Sequence, residues 1–197
     1  MKHTFLILII AFTLTLYIAG CKSKNMPDSP PAAQVGEDII LIKDIQSYKR
    51  NSSEKLTDKQ ALDILVEKDL LFQEAQKEGV ALSLQEAKQY ANEQREIIES
   101  SGEEGKKAMD EITKKLGVDY EKYWKDDAPK GYMRAISQSN MKNKIKKEIQ
   151  KKILESYSGL NNEDVEKLFN EMYVKRIEEL KEKYKVKYYI DQGTVQN

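Results

Sequence analysis

Two short β-branched runs stand at opposite ends of this chain, Asp38-Ile39-Ile40-Leu41-Ile42 and Val186-Lys187-Tyr188-Tyr189-Ile190. Nearly everything between them reads as helix. A strand presents a row of backbone N–H and C=O groups, and an unpaired edge is costly. The two runs are therefore predicted to find each other and tie the chain ends into one small sheet. The fold class that follows is mainly α: a multi-helix domain over residues 37–190, closed by a two-stranded sheet.

The helices announce themselves through their caps. After a short helix over Lys43–Lys49, with Ile45 and Tyr48 on one side, Thr57-Asp58-Lys59-Gln60 has the spacing of a capping box. The helix it opens is predicted to run to Glu78 and stop at Gly79. Leu62, Ile64, Leu65, Val66, Leu70, Leu71, Phe72 and Ala75 give it a broad face that must be largely buried. Ser83-Leu84-Gln85-Glu86 repeats the cap and opens a more polar helix through Glu99; another follows over Glu103–Leu116, ending at Gly117. Asp119 caps a segment dense in aromatics, Tyr120-Glu121-Lys122-Tyr123-Trp124, with a kink or break predicted ahead of Pro129 and Gly131. From Tyr132 a long helix continues to Ser156, with Met141, Ile145, Ile149, Ile153 and Tyr157 on a narrow seam. Asn162-Glu163-Asp164 starts the last helix, whose Val165, Leu168, Phe169, Met172, Tyr173, Ile177, Leu180 and Tyr184 trace a 3–4 stripe.

Ahead of the first strand the character of the chain changes. Met1-Lys2-His3 is a short basic start, Phe5–Ala19 is uncharged and apolar, and Ala19-Gly20 supplies small residues where a signal peptidase cuts. The apolar stretch falls short of the about 20 residues that cross a membrane. Its ending, Ile18-Ala19-Gly20-Cys21, resembles the bacterial lipoprotein signal with its lipobox. That resemblance implies a diacylglycerol on the Cys21 thiol and cleavage between Gly20 and Cys21. It also implies a mature protein held by its lipid anchor on the extracytoplasmic face of the cell membrane. Two acyl chains, at about 0.8 kcal/mol per buried CH₂, make such an anchor stable. Lys22–Gly36, with Pro27, Pro30 and Pro31, is predicted to be a flexible tether, and residues 191–197 a disordered tail.

Composition removes most enzyme classes. His3 is the only histidine and Cys21 the only cysteine. Cleavage and acylation of Cys21 would leave neither an imidazole nor a free thiol. Serine–histidine and cysteine–histidine nucleophilic sites and ordinary zinc sites then cannot be built. The 33 Lys+Arg and 33 Asp+Glu are interleaved at helical spacing. They read as solvated helix faces rather than as a paired general acid and base. The nine glycines are scattered, and Gly102–Gly105 has no lysine-serine pair behind it to make a phosphate loop. No catalytic residue, cofactor, metal or nucleic-acid partner is expected. Arg134–Lys152 gathers Arg134, Lys142, Lys144, Lys146, Lys147, Lys151 and Lys152 against Glu148 alone. Two readings stay open for it: a helix lying near anionic lipid headgroups or acidic segments, or a half-exposed helix with one dry row.

Three stretches together resemble the N-terminal chaperone module of SurA and of PrsA-type foldase lipoproteins, a fold shared with the trigger-factor peptide-binding domain. They are the strand-to-helix segment Gly36–Tyr48, the helix Ala61–Ala75 followed by Glu78-Gly79-Val80, and the closing Tyr184–Ile190 run. Lipobox and tether match the PrsA type. These foldases commonly carry a parvulin prolyl-isomerase domain before the closing strand. Here one turn and one helix join Ile153 to Val186, with no room for such an insert, and the histidines of a parvulin site are missing. The resemblance thus implies a membrane-anchored chaperone-like module without isomerase activity, binding unfolded or exported polypeptides. A dedicated envelope protein that holds one specific partner is the alternative. Candidate peptide-binding residues are Tyr123, Trp124, Tyr132, Met133, Phe169 and Tyr173; plain core packing is the competing reading for them.

Overall fold

A computed structural model describes residues 29–157 and 159–190. The expected signal peptide, the lipidation site Cys21, the first part of the tether and the tail lie outside them. The described chain is mainly helical, with a three-stranded antiparallel sheet in the order β2-β1-β3. Its elements are β1 (Pro31–Val35), β2 (Asp38–Leu41), α1 (Ile42–Asn51), α2 (Asp58–Lys77), α3 (Leu84–Ser100), α4 (Gly102–Leu116), α5 (Ala128–Ser156), α6 (Asn162–Lys183) and β3 (Lys187–Tyr188). A helical turn at Tyr120–Lys122 and a π-helical turn at Tyr123–Asp127 precede α5.

The two expected strands both form, but they do not meet. β1 lies between them, inside the segment expected to be tether, and pairs antiparallel with each. Its Pro-Ala-Ala-Gln-Val sequence has little β-propensity, which is why it reads as linker. Pro31 is tolerated because it is the first residue of the strand. Ala32 and Ala33 are both fully buried, and the register against β2 shifts between Pro31 and Ala33. Gly36 makes the turn into β2 at φ +59°, and its backbone N–H donates to the Tyr184 carbonyl at 3.0 Å. A Cβ at Gly36 would stand 2.5 Å from the Gln73 Oε1. The Gln73 amide nitrogen in turn donates to the Val35 carbonyl at 2.8 Å.

The caps form as their spacing predicts. The Thr57 N–H donates to Gln60 Oε1 at 2.9 Å, and the Gln60 N–H to Thr57 Oγ1 at 3.2 Å. Ser83 and Glu86 reciprocate in the same way at 2.8 and 3.2 Å. Asp119 accepts from the N–H groups of Glu121 and Lys122, and Asn161 accepts from that of Asp164. The break expected ahead of Pro129 is a widened turn rather than a gap. Pro129 has no N–H to return to the carbonyl of Lys125. One residue earlier the Ala128 N–H reaches back to the Tyr123 carbonyl, giving the π-helical register.

The expected helical segment over residues 37–190, whose length suits one domain or two small lobes, divides into two compact units. Among the described residues, Ala81–Ser137 make one compact unit; the chain up to Val80 and from Gln138 onward makes a second. α5 contributes residues 128–137 to the first and 138–156 to the second. The first unit closes its own core because α3 and α4 offer Ala91, Ile98 and Met109 to Tyr123, Trp124, Ala128 and Tyr132. In the second unit α2 supplies the broad buried face, with Ala61, Leu62, Leu65, Val66, Leu70, Leu71, Phe72 and Ala75. The seam of α5 contributes Met141, Ile145, Ile149 and Ile153.

Gly105 marks the tightest packing in the first unit. It is buried on α4, and a Cβ there would lie 2.1 Å from the carbonyl oxygen of Ile98. Gly105→Ala is expected to destabilise the protein by about 2 kcal/mol, since backbone must move to admit the methyl group. Thermal unfolding followed by circular dichroism measures this, and an unchanged midpoint would refute the close approach.

Candidate functional site

The six residues singled out in the sequence divide between the two units. Tyr123, Trp124, Tyr132 and Met133 belong to the first, Phe169 and Tyr173 to the second. Three of them are corrected by their surroundings. Tyr123 and Trp124 are each 3 % exposed and Tyr132 6 %, in one cluster with Ala91, Ile98, Met109 and Ala128. The Tyr123 and Trp124 rings meet edge to face at 5.2 Å, and the Tyr132 ring meets Tyr90 at 4.8 Å. Burial pushes the Tyr123 and Tyr132 hydroxyls up from their ordinary pKa, so both stay neutral. These aromatics are core, and a client chain cannot reach them in this arrangement. The reason is compositional: α3 and α4 are so polar that the aromatics following Asp119 are the bulk from which a core is made. Met133 is half-buried beside them in sequence.

The second unit tells a different story along α6. The stripe expected from Val165 to Tyr184 is present, but its burial is graded. Ile177 and Leu180 are buried, whereas Val165, Leu168, Phe169, Met172 and Tyr173 are only half-buried. Apolar side chains are also exposed near the end of α5 and ahead of α6. Leu154 is 82 % exposed, Tyr157 46 % and Leu160 38 %. Tyr157, read as the last step of the α5 seam, is thus uncovered, while the four seam residues before it are buried. Leu154 and Leu160 carry no sequence signal of their own, because a lone leucine among lysines and glutamates looks the same buried or exposed. Phe169 therefore remains a surface candidate, and Leu168 and Met172 join it at helical spacing.

Tyr173 has a different partner. Its hydroxyl donates to Glu67 Oε1 at 2.7 Å, and the same oxygen accepts from Lys142 Nζ at 3.2 Å. The Lys142 ammonium also stands 5.4 Å from the centre of the Tyr173 ring. Two turns further along α2 from Glu67, Glu74 is fully buried and holds Arg176, Lys183 and the Tyr184 hydroxyl. These contacts fix α6 against α2 from Tyr173 onward. Upstream of Tyr173 the stripe has no such bonds to α2 among the hydrogen bonds and ion pairs described. The basic stretch of α5 is partly committed: Lys142 pairs with Glu67, Lys144 with Glu78 at 2.8 Å, and Lys151 with Glu155 at 3.8 Å.

Among the described residues no group of three or more Asp, Glu, His or Cys side chains is arranged to hold a metal, and no helix is long and apolar enough to cross a membrane. The chemistry available along α6 is that of a surface: an apolar ridge with charged flanks that can accept another apolar face.

The graded burial has a measurable consequence. Leu180→Ala is expected to cost about 3 kcal/mol, as for a filled core site, and Phe169→Ala less than about 1.5 kcal/mol. Denaturant unfolding of the two variants separates them; equal losses would mean that the stripe is core throughout. Comparison of the chain with protein-family models, with curated proteins and with solved structures finds no match.

Proposed function

We propose that this protein is a membrane-anchored, extracytoplasmic chaperone-like lipoprotein that binds unfolded or exported polypeptides and has no prolyl isomerase activity. The observation that carries the reading is the stripe of α6: an amphipathic helix buried at Ile177 and Leu180 but half-covered from Val165 to Met172. Half-buried Leu168, Phe169 and Met172 on α6, with Leu154, Tyr157 and Leu160 exposed in the same unit, offer apolar side chains for contact. Such a surface suits weak, promiscuous capture: methionine adapts to different partners, and no polar constellation selects one. The lipid anchor at Cys21 supplies the location, and the resemblance to SurA and PrsA-type modules supplies the precedent for a helical binding unit of this kind.

The soluble fragment Lys22–Asn197 tests the binding, with several unrelated chemically unfolded proteins as clients. Suppression of their aggregation at near-stoichiometric amounts is the expected result. Phe169→Ser combined with Met172→Ser should weaken suppression several-fold while leaving the helical circular dichroism unchanged. Suppression by the double variant as strong as by the parent fragment would remove α6 from the reading. No suppression at all, with one protein recovered by crosslinking, would instead support a dedicated single-partner protein. In parallel, Cys21→Ser should move the full-length chain out of the membrane fraction; retention there would contradict the anchor.

A further inference from the structure

The sheet of the second unit has one covered face and one open face. Ala33 pairs with Ile40 and with Tyr188; Ala33 and Ile40 are buried, and α2 packs against β1 and β2 on that side. The next residue of β1, Gln34, pairs with Ile39 of β2 and Lys187 of β3, so these three side chains share the other side. Tyr189, two residues beyond Lys187, falls there too, and its hydroxyl donates to Gln34 Oε1 at 2.7 Å. Ile39 is 55 % exposed, Tyr189 51 %, and Lys187 is exposed as well. The chain enters the unit beside this face. The Ser29 Oγ accepts from the Lys43 N–H, the Pro30 carbonyl from the Ile42 N–H, and the Ala32 carbonyl from the Tyr189 N–H at 2.9 Å. Because β1 takes up the end of the expected tether, only residues 22–28 separate Cys21 from Ser29, a reach of at most about 28 Å.

We propose that the open sheet face of Gln34, Ile39, Lys187 and Tyr189 rests on the phospholipid surface in which Cys21 is anchored. The contact presupposes the lipid anchor of the proposed function and adds to it the side of the second unit that meets the membrane. A link this short gives the lipid surface a high effective concentration at the face. The side chains suit that partner: tyrosine rings settle at headgroup level, isoleucine enters the boundary, and lysine reaches past them to phosphate. Lys187 on the face, exposed Lys43 beside Ser29, and Lys22 and Lys24 in the link outnumber Asp28 and Glu37, a balance that favours anionic headgroups. Strand addition by an extended client is disfavoured at the same sheet, because the Leu41 N–H at the end of β2 is already taken by the Asp44 carboxylate at 2.8 Å. The rival lipid-facing element is basic α5, but there Lys142, Lys144 and Lys151 are paired with Glu67, Glu78 and Glu155.

Quenching by spin-labelled lipid tests the contact. The full-length lipidated chain carries Ile39→Cys, Lys187→Cys or, on α5, Lys147→Cys, each labelled with an environment-sensitive fluorophore. It is reconstituted into phosphatidylglycerol–phosphatidylethanolamine vesicles that bear a nitroxide at the top of the acyl chain. Labels at 39 and 187 are expected to lose about half of their emission or more, because a face at the headgroup–acyl boundary lies within roughly 5–10 Å of the nitroxide. The label at 147 should lose less than about a fifth. The anchor is read separately, since an acylated Cys21 takes no label and the chain floats with the vesicles. Labelling of Cys21 in the parent chain, or failure to float, contradicts the anchor and this contact with it. A chain that floats with 39 and 187 unquenched, or with 147 quenched as strongly, leaves the anchor standing and overturns the sheet contact. Crosslinking of two chains through Ile39→Cys would assign the face to a second copy and overturn it as well. Ile39 and Lys187 lie on different strands, so if one variant fails to fold the other decides.

Discussion

The second unit is organised around one buried carboxylate. Glu74 has no solvent exposure, and an isolated ion in that position would cost several kcal/mol. It is held by Arg176 through Oε1 at 3.3 Å, and by Lys183 and the Tyr184 hydroxyl through Oε2. All three partners come from the last two turns of α6 or the residue after it, so satisfying Glu74 fixes both the rotation and the axial position of that helix on α2. Ile177 and Leu180 are then turned inward. The same end of α6 carries the carbonyl of Tyr184 to the N–H of Gly36. Lys185 turns the chain at φ +51°, and β3 can then pair with β1. A side-chain network thereby accomplishes what strand propensity alone does not, since β3 is only two residues long.

A helix clamped at its C-terminal half and half-covered at its N-terminal half is suited to presenting a surface. The bonds to Glu67 and Glu74 hold α6 from Tyr173 onward, while the Asn161 cap secures its first turn locally. Leu168, Phe169 and Met172 lie between these supports. Their exposure is not a defect of the stripe but its continuation beyond the part that the unit itself covers.

Periodicity and capping made the helices legible, because both are local. The Thr57–Gln60 and Ser83–Glu86 boxes could be read from three-residue spacing and form as hydrogen-bonded pairs. β1 was not legible. Prolines 30 and 31 and two alanines carry the signature of a linker, and only pairing on both sides makes a strand of Ala32 and Ala33. The position of the boundary between the two units was equally hidden, since it falls inside the continuous helix α5. For the aromatics, composition pointed in the wrong direction. Tyr123, Trp124 and Tyr132 drew attention as large and clustered residues, yet in a unit built from polar helices such residues are the core. The surface that remains is made of Leu154, Leu160 and one half of a stripe, and a stripe's periodicity does not report which part of it is covered. Glu67 and Glu74 were invisible for a similar reason: in a charged sequence, two acidic residues on one helix look like solvated surface until their partners arrive from α5 and α6.

Hydrogen exchange of the Lys22–Asn197 fragment, with and without an excess of an unfolded client, tests most directly whether the uncovered half of α6 is the binding surface. Client-dependent slowing of amide exchange over residues 162–173, with residues 177–183 already protected and unchanged, is the expected result. Protection confined to the segment 120–132 of the first unit, or no change along α6 under conditions where the client is bound, would contradict it.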